Sequence, residues 1–204
     1  MIPISLKITG FLSYRETVEL DFTGFDLACI SGHNGAGKSS LLDAITWSLF
    51  GQARKRDEAL INTHPDIKAA EVIYTFFYED NTYRIQRTMP RGKSKLLEFQ
   101  IKDGEQWRPL TEHTLRTTQE RIEQTLRLDY ETFVNAAFFL QGRADQFTQQ
   151  NSSKRKDVLS SVLGLEIWDE YKTRTATRRR EVEQELDTVD GRVAEIDAEL
   201  AEEE

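Results

Sequence analysis

The chain is poor in cysteine and in long apolar runs, and each absence excludes a class of protein. Cys29 is the single cysteine among 204 residues, so no disulfide can form within the chain. We expect it to be a small buried side chain in a reducing compartment. No apolar run approaches the roughly 20 residues that span a bilayer, and residues 1–7 lack the layout of a signal peptide. These absences predict a cytoplasmic protein without membrane contact.

The net charge of −8 comes from one end of the chain. Residues 165–204 carry 14 acidic and six basic side chains, whereas residues 1–164 carry 21 of each. A neutral globular part does not exclude a nucleic-acid partner, because a local basic patch is enough to attract a phosphate backbone.

The most informative stretch runs from Gly32 to Ser40 and reads Gly-His-Asn-Gly-Ala-Gly-Lys-Ser-Ser. It matches the phosphate-loop pattern G-x-x-x-x-G-K-[ST]. In this pattern glycines let backbone N–H groups turn toward a phosphate. Lys38 reaches the β- and γ-phosphates, and the Ser39 hydroxyl ligates Mg²⁺. The alternative is a glycine-rich turn without a ligand.

The sequence on both sides of the loop favours the phosphate site. An apolar run at residues 25–31 predicts a buried strand that enters the loop. Apolar residues then recur at helical spacing from Leu41 to Phe50, and Gly51 suits the C-terminal cap. A strand, a glycine loop and a helix N-terminus together form an anion site. We therefore expect the loop to bind a nucleotide.

Alternating apolar residues predict strands before and after this unit. Residues 2–9 and 18–22 predict two strands that precede it. Residues 70–78, 82–87 and 96–102 predict three short strands that follow it. We expect the last three to form an antiparallel meander beside the nucleotide-binding sheet.

Two parts of a complete phosphate-loop ATPase are missing. No apolar strand ends in an aspartate for the Mg²⁺ shell, because Glu79 and Asp80 follow an alternating strand and are expected to be turn residues. No LSGG-type signature loop is present, since the segment that ends at Gly164 lies in a helical pattern. The chain is therefore expected to hold half of an ATPase site.

The period changes from residue 111 onward. Apolar spacing predicts helices at residues 115–128 and 133–140, and a third that runs to Gly164 from a serine cap at Ser152 or Ser153. Residues 165–204 carry a heptad seam that is clean from Val182 to Leu200, which predicts a coiled-coil helix in need of a partner. A single solvated helix is the alternative. Because the heptads stop abruptly, we expect a fragment.

A phosphate-loop lobe, a Gln141-Gly142 pair and a heptad helix in this order resemble the N-terminal part of the SbcC-type ATPases. These are SMC-like members of the ABC superfamily that act in double-strand-break repair. The resemblance is carried by residues 10–16, 32–45 and 138–142. It implies an α/β fold, with an ABC-type P-loop ATPase lobe of antiparallel β-meander and helices over residues 1–164. The start of a long coiled-coil helix, residues 165–204, follows.

The resemblance also implies roles for individual residues. Lys38 and Gln141 would be the catalytic residues, and Ser39 and Gln141 would ligate Mg²⁺. The segment around Ser13 and the Thr63–His64 region would flank the base and ribose of ATP. The residues expected to bind ATP and Mg²⁺ are Ser13, Asn34, Gly35, Ala36, Gly37, Lys38, Ser39, Ser40, Thr63, His64 and Gln141.

Partners follow from the resemblance as well. A C-terminal lobe of the same protein would complete the site, and two heads would sandwich two ATP molecules as a homodimer. ATP hydrolysis would require both. An SbcD-type metallonuclease would dock at the base of the coiled coil, near residues 165–180, and head closure would gate binding and end processing of double-stranded DNA.

Basic residues suggest where DNA would lie. Residues 84–108 hold seven basic side chains against three acidic ones, and Arg91, Lys93 and Lys95 fall at an expected hairpin tip. Arg54 and Lys55 are a second candidate. Such cations can contact a phosphate backbone without reading bases. An ordinary solvated hairpin is the alternative.

Two other functions fit part of the sequence. A chromosome-organising SMC-like ATPase, acting as a structural DNA tether without a nuclease, would share every residue named above except the 138–142 resemblance. A small-molecule phosphotransferase would share the phosphate loop, but it has no use for a heptad arm.

Overall fold

The computed structural model describes residues 1–136, 151–162 and 165–203 of the chain. The chain consists of two compact units, Met1–Phe138 and Phe139–Glu204. The expected continuation of a helix over residues 137–140, Gln141 and the expected helix end at Gly164 lie outside the described residues. The predicted domain boundary at residues 164–165 stays a prediction.

The first unit is built on one six-stranded antiparallel sheet. Its strands are β1 (Ile2–Thr9), β2 (Val18–Asp21), β3 (Ala69–Tyr78), β4 (Asn81–Pro90), β5 (Leu96–Asp103) and β6 (Gln106–Pro109). Their order across the sheet is β2-β1-β3-β4-β5-β6. The five predicted strands of this sheet are confirmed. The expected antiparallel meander is confirmed as β3, β4 and β5. Its expected position beside the nucleotide-binding sheet is wrong, because β1 pairs with β3 and joins all six strands into one sheet.

Alternation along the strands separates a core face from an outer face. On β3 the side chains of Ala70, Val72, Tyr74 and Phe76 are buried, and the residues between them are more exposed. Aromatic rings from neighbouring strands continue this face: Tyr83 stacks between Phe76 and Phe99, with ring centroids 5.8 and 5.5 Å away. The core therefore lies on one side of the sheet.

Two helices cover this core face. Helix α1 (Lys38–Phe50) contacts β3 and β4, and α2 (Leu115–Leu126) contacts β5 and α1. A capping box between Thr114 and Thr117 starts α2. A short 3₁₀ helix (Asp57–Leu60) follows α1, and α3 (Tyr130–Ala136) places Phe133 against Phe50 of α1, with ring centroids 5.3 Å apart.

Two details of the first unit differ from the sequence expectations. Residues 25–31 are not a buried strand: they form no strand, and the side chain of Leu27 is 92% exposed. Cys29 in this run is exposed rather than buried. Because no described strand pairs with this run, its backbone N–H and C=O groups lack partners in a sheet and remain in solvent. The second difference is strand β6, which was not expected from the sequence.

The second unit is helical in its described part. Helix α4 spans Ser152–Val162, so Ser152 and Ser153 both lie within it rather than before it. Helix α5 spans Glu166–Glu203 and confirms the predicted long helix. Its predicted seam is solvent-exposed, with Val182, Leu186 and Val189 between 39% and 55% exposed. An apolar stripe left open in this way fits the start of a coiled coil.

Among the described residues, no helix combines the length and the apolar character needed to cross a membrane.

Candidate nucleotide-binding site

The phosphate loop leads directly into the N-terminus of α1. Gly37 is the N-cap residue, in the left-handed region at φ 95°, and Lys38 is the first helical residue. The first N–H groups of a helix have no acceptor within the helix, and the helix dipole makes that end positive. The backbone therefore presents donors to an anion at the position that the sequence predicted.

The side chain of Lys38 folds back over the loop. Its ammonium Nζ donates to the carbonyl oxygens of Gly32, at 2.6 Å, and His33, at 2.9 Å. The loop residues Asn34, Gly35 and Ala36 are exposed. A cation held at the mouth of an exposed loop beside a helix N-terminus is suited to bind the phosphates of a nucleotide. The donor set also fits Mg²⁺, since the Ser39 hydroxyl lies at the start of the same helix.

A tight turn at residues 11–14, which we call the 11–14 turn, packs against the loop. The Ser13 hydroxyl lies 3.0 Å from the Ser40 hydroxyl, and the Tyr14 hydroxyl donates to the Gly37 carbonyl oxygen at 3.3 Å. Gly10 leads into the turn at φ 60°, where a Cβ would collide with the carbonyl oxygen of Ala69. The structure thus brings Ser13 to the phosphate loop.

The Thr63–His64 region is tied to the same turn. The Asn62 side-chain amide donates to the Leu12 carbonyl oxygen at 2.7 Å, and its Oδ1 accepts the His64 amide at 3.0 Å. The His64 Nδ1 lies 3.3 Å from an Asp66 carboxylate oxygen. Ser13 follows Leu12 in the chain and Thr63 follows Asn62, so the hydrogen bond between Leu12 and Asn62 brings the two expected positions close together. This is the arrangement expected if both flank one ligand.

The structure places ten of the eleven expected nucleotide-binding residues, because Gln141 lies outside the described part. Two residues that make the connections were not expected, namely Tyr14 and Asn62. Their roles depend on a tertiary contact between distant segments, and no local pattern indicates it.

The expected DNA-contacting residues after α1 are partly engaged within the protein. The Arg54 Nε lies 2.6 Å from Oδ2 of Asp43, a carboxylate in α1 whose side chain is 3% exposed. The Arg54 amide donates to the other oxygen of Asp43 at 3.2 Å. Lys55 is exposed and has no ion pair with any described residue.

The hairpin between β4 and β5 presents its tip to solvent, as predicted, but acidic residues of the 3₁₀ helix neutralise part of it. The Lys95 ammonium lies 2.7 Å from Asp57, and the Arg91 guanidinium lies 4.0 Å from Glu58. The amide of Gly92 at the tip also donates to Glu58, at 2.7 Å. Within the described residues Lys93 has no carboxylate partner.

The wider basic count of residues 84–108 does not form one patch. Arg84 lies on the outer face, with its guanidinium carbon 4.2 Å from the centre of the Trp107 ring. Arg87 lies on the core face of β4 and is enclosed between α1 and α2. It donates to the Ser48 carbonyl oxygen at 3.1 Å and to the Gln119 side chain at 2.6 Å. Burial lowers the pKa of Arg87 to about 10, so the group stays charged at neutral pH.

Comparison with known proteins gives the family. A sequence profile described as "AAA domain" matches residues 5–204. The chain belongs to the AAA domain family. This AAA domain chain is 31% identical, over 81% of its length, to the SbcC component of the SbcCD nuclease of Deinococcus radiodurans. It is 32% identical, over 91% of its length, to the protein of the same name from Bacillus subtilis.

A further relative is the "Probable DNA double-strand break repair Rad50 ATPase" of Aquifex aeolicus, 30% identical over 81% of the chain. The chain spans only 19%, 17% and 17% of these three proteins. Among solved structures, the SMC head domain from Thermotoga maritima aligns with a TM-score of 0.41 and 20% identity, covering 59% of this chain and 42% of that one. The sequence identities of 30–32% make the AAA domain chain a homologue of these SbcC and Rad50 proteins.

Proposed function

We propose that this chain is the ATP-binding N-terminal lobe of the ATPase subunit of an SbcC/SbcD-type DNA repair nuclease complex. The observation that carries the proposal is the loop Gly32–Ser40 at the N-terminus of α1, with the Lys38 ammonium held at its mouth. The homologous SbcC and Rad50 proteins, matched over most of the chain, support the DNA repair role.

In this proposal the lobe supplies half of a shared site. Ser39 and Gln141 hold Mg²⁺, the loop amides and Lys38 hold the phosphates, and Ser13 with the Thr63–His64 region flanks the base and ribose. The C-terminal lobe and a second head supply the other half. Bound Mg²⁺ would neutralise charge on the phosphates during hydrolysis. ATP binding would close the head dimer, and hydrolysis would open it.

The open seam of α5 supports a returning helix as partner, and its exposed base supports a docking place for the metallonuclease. Trp168 is 66% exposed there, beside Tyr171 at 46%. The residues proposed to contact DNA are Lys55 and Lys93, together with Arg54, Arg91 and Lys95. The last three also form ion pairs with acidic residues of the protein. Contacts of this kind would be independent of base sequence.

Light scattering of this chain mixed with its C-terminal lobe, with and without ATP and Mg²⁺, tests the proposal. We expect the mass to double on addition of ATP and Mg²⁺, together with ATP hydrolysis that neither lobe shows alone. Lys38→Ala should abolish both, and Gln141→Ala should abolish hydrolysis. Full turnover by this chain alone would contradict the shared site. Co-purification with a metallonuclease would separate this function from that of a structural tether.

A further inference from the structure

The peptide between Gly37 and Lys38 begins α1 without a side-chain cap, and within the helix it is held by one hydrogen bond, from the Leu41 amide to the Gly37 carbonyl oxygen at 3.1 Å. A helix commonly begins with a serine, threonine or aspartate whose side chain accepts a backbone N–H and fixes the first turn. Gly37 has no side chain to do so, and it adopts φ 95° and ψ 6°. Glycine reaches this conformation easily and leaves it easily. A second hydrogen bond to this peptide would limit its motion further and help to keep its N–H aimed at a phosphate.

Tyr14 is placed to do this. Its hydroxyl donates to the Gly37 carbonyl oxygen, which also accepts the Leu41 amide at 3.1 Å. Its ring lies against the glycine, with ring carbons 3.3 and 3.4 Å from the position that a Cβ would take. Burial raises the pKa of Tyr14, so the hydroxyl remains a donor at neutral pH.

The 11–14 turn that carries Tyr14 is itself anchored in the core. Phe11 is fully buried, and its ring centroid lies 5.2 Å from that of Trp47 on α1. The Tyr14 amide donates to the Phe11 carbonyl oxygen at 2.9 Å, and the Leu12 amide donates to that of Leu60 at 2.7 Å. The turn is therefore a fixed platform against which the loop rests.

We infer that Tyr14 is a positioning residue for phosphate binding, with the Ser13 hydroxyl as its second contact at Ser40. A carbonyl oxygen and the next N–H belong to one planar peptide. A bond that holds the Gly37 carbonyl therefore also aims the Lys38 amide, one of the first donors of α1. Holding that amide before the ligand arrives removes an ordering cost from binding. This inference rests on the proposed ATP site and adds the residues that prearrange it.

Titration calorimetry of the 204-residue chain with Mg·ATP and with inorganic tripolyphosphate tests the inference. Tyr14→Phe keeps the ring and removes the hydroxyl. We expect the Kd for both ligands to rise about three- to tenfold, as loss of one hydrogen bond predicts. Ser13→Ala should raise the Kd for tripolyphosphate in the same direction. Because that ligand has no base or ribose, a change there reports on the phosphate loop itself.

Tyr78→Phe is the matched control. The Tyr78 hydroxyl also donates to a backbone carbonyl, that of Leu126 at 3.1 Å, in the same unit but away from the loop. It should leave both Kd values within about twofold while costing similar stability. The inference is overturned if Tyr14→Phe binds tripolyphosphate like the unchanged chain, or no worse than Tyr78→Phe does.

Failure of the proposed function would look different. In that case the unchanged chain and Lys38→Ala would bind Mg·ATP equally poorly, which would overturn both the ATP site and the inference that depends on it. If Tyr14→Phe does not fold, by circular dichroism and unfolding midpoint, Ser13→Ala decides, and an unchanged Kd for tripolyphosphate counts against the inference.

Discussion

The Arg54 guanidinium is bound to the buried carboxylate of Asp43, with 2.6 Å between Nε and Oδ2. Asp43 lies in α1, five residues after Lys38, so this pair ties the segment after the helix back onto it. Arg54 was expected to contact DNA, and its side chain remains 56% exposed. Its first role is nevertheless to satisfy a buried acid.

We predict that Arg54→Ala lowers the free energy of unfolding by about 1–2 kcal/mol, because a buried carboxylate loses one of its partners. Urea unfolding followed by circular dichroism measures the change. Lys55→Ala, next to it and exposed, should change stability by less than about 0.5 kcal/mol. Equal stability of the two variants would show that the Asp43 pair contributes little. If Arg54→Ala is the less stable variant, a loss of DNA affinity in it needs correction for the unfolded fraction.

We predict a larger loss of stability when Arg87 is changed. Arg87→Met should cost about 2–3 kcal/mol, because the Ser48 carbonyl and the Gln119 side chain lose a charged donor inside the protein. Arg84→Met, three residues earlier on the opposite face of β4, is the control. It loses two hydrogen bonds to the Gln100 side chain, at 2.8 and 2.6 Å, and its contact with the Trp107 ring. These lie on the outer face, where water can replace them, so we expect a cost of about 1 kcal/mol or less. If the two variants unfold at the same urea concentration, the enclosed position of Arg87 is not what stabilises the fold.

Tyr74 predicts how stability depends on alkaline pH. Burial raises its pKa well above the ordinary value of 10.0. The unfolded chain therefore loses the Tyr74 proton first, so stability is fully present below pH 10 and falls as pH rises above it. We expect the free energy of unfolding to drop by about 1 kcal/mol or more between pH 9 and pH 11.

Tyr74→Phe should make that drop smaller, and Tyr171→Phe, at an exposed position on α5, should leave it unchanged. Part of the drop should remain in Tyr74→Phe, because burial also raises the pKa of Tyr14, Tyr78 and Tyr83. The measurement is urea unfolding at half-unit pH steps. A slope that is the same with and without the Tyr74 hydroxyl would contradict the prediction.

The hairpin tip predicts a salt-dependent effect on DNA. Changing Arg91, Lys93 and Lys95 together to glutamate should lower ATP-dependent affinity for a DNA duplex tenfold or more and flatten its dependence on salt. Fluorescence anisotropy with the complete head measures this. Unaltered affinity would remove the hairpin from the DNA surface. Arg116→Glu, a charge reversal on α2, should have little effect.

The acidic neighbours of the hairpin give the opposite prediction. Asp57 and Glu58 neutralise Lys95 and Arg91, so Asp57→Asn combined with Glu58→Gln should release two cations. We expect DNA affinity to rise about threefold at low salt, with the gain disappearing as salt screens the surface. A fall in affinity would indicate that the acids hold the tip in its binding shape.

Much of the fold could be predicted because its strands alternate and its loop has a strict pattern. The turn at Glu79 and Asp80, both at positive φ, was predicted for the same reason. Strand β6 was missed because four residues that include Pro109 give too short a pattern. The run at residues 25–31 was misjudged because an apolar composition predicts burial only where a partner exists.

The sequence itself indicates that Arg87 lies on the core face. Arg87 shares the alternating positions of Tyr83, Ile85 and Met89 on β4, so the period of two already placed it on the core face. No sequence pattern indicates the role of Tyr14. Its contact with Gly37 joins segments 23 residues apart in the chain, and only the folded backbone brings them together.

Helix α1 is held at both of its ends by distant parts of the chain. Tyr14 and Ser13 hold the N-terminus, while Arg87 and Gln119 donate to the carbonyl oxygens of Ser48 and Leu49 at the C-terminus. Tilting or sliding α1 alone would break these hydrogen bonds, at a cost of about 1 kcal/mol each. We therefore expect a displacement that starts at the phosphates to be passed on to the sheet through Arg87 and to α2 through Gln119.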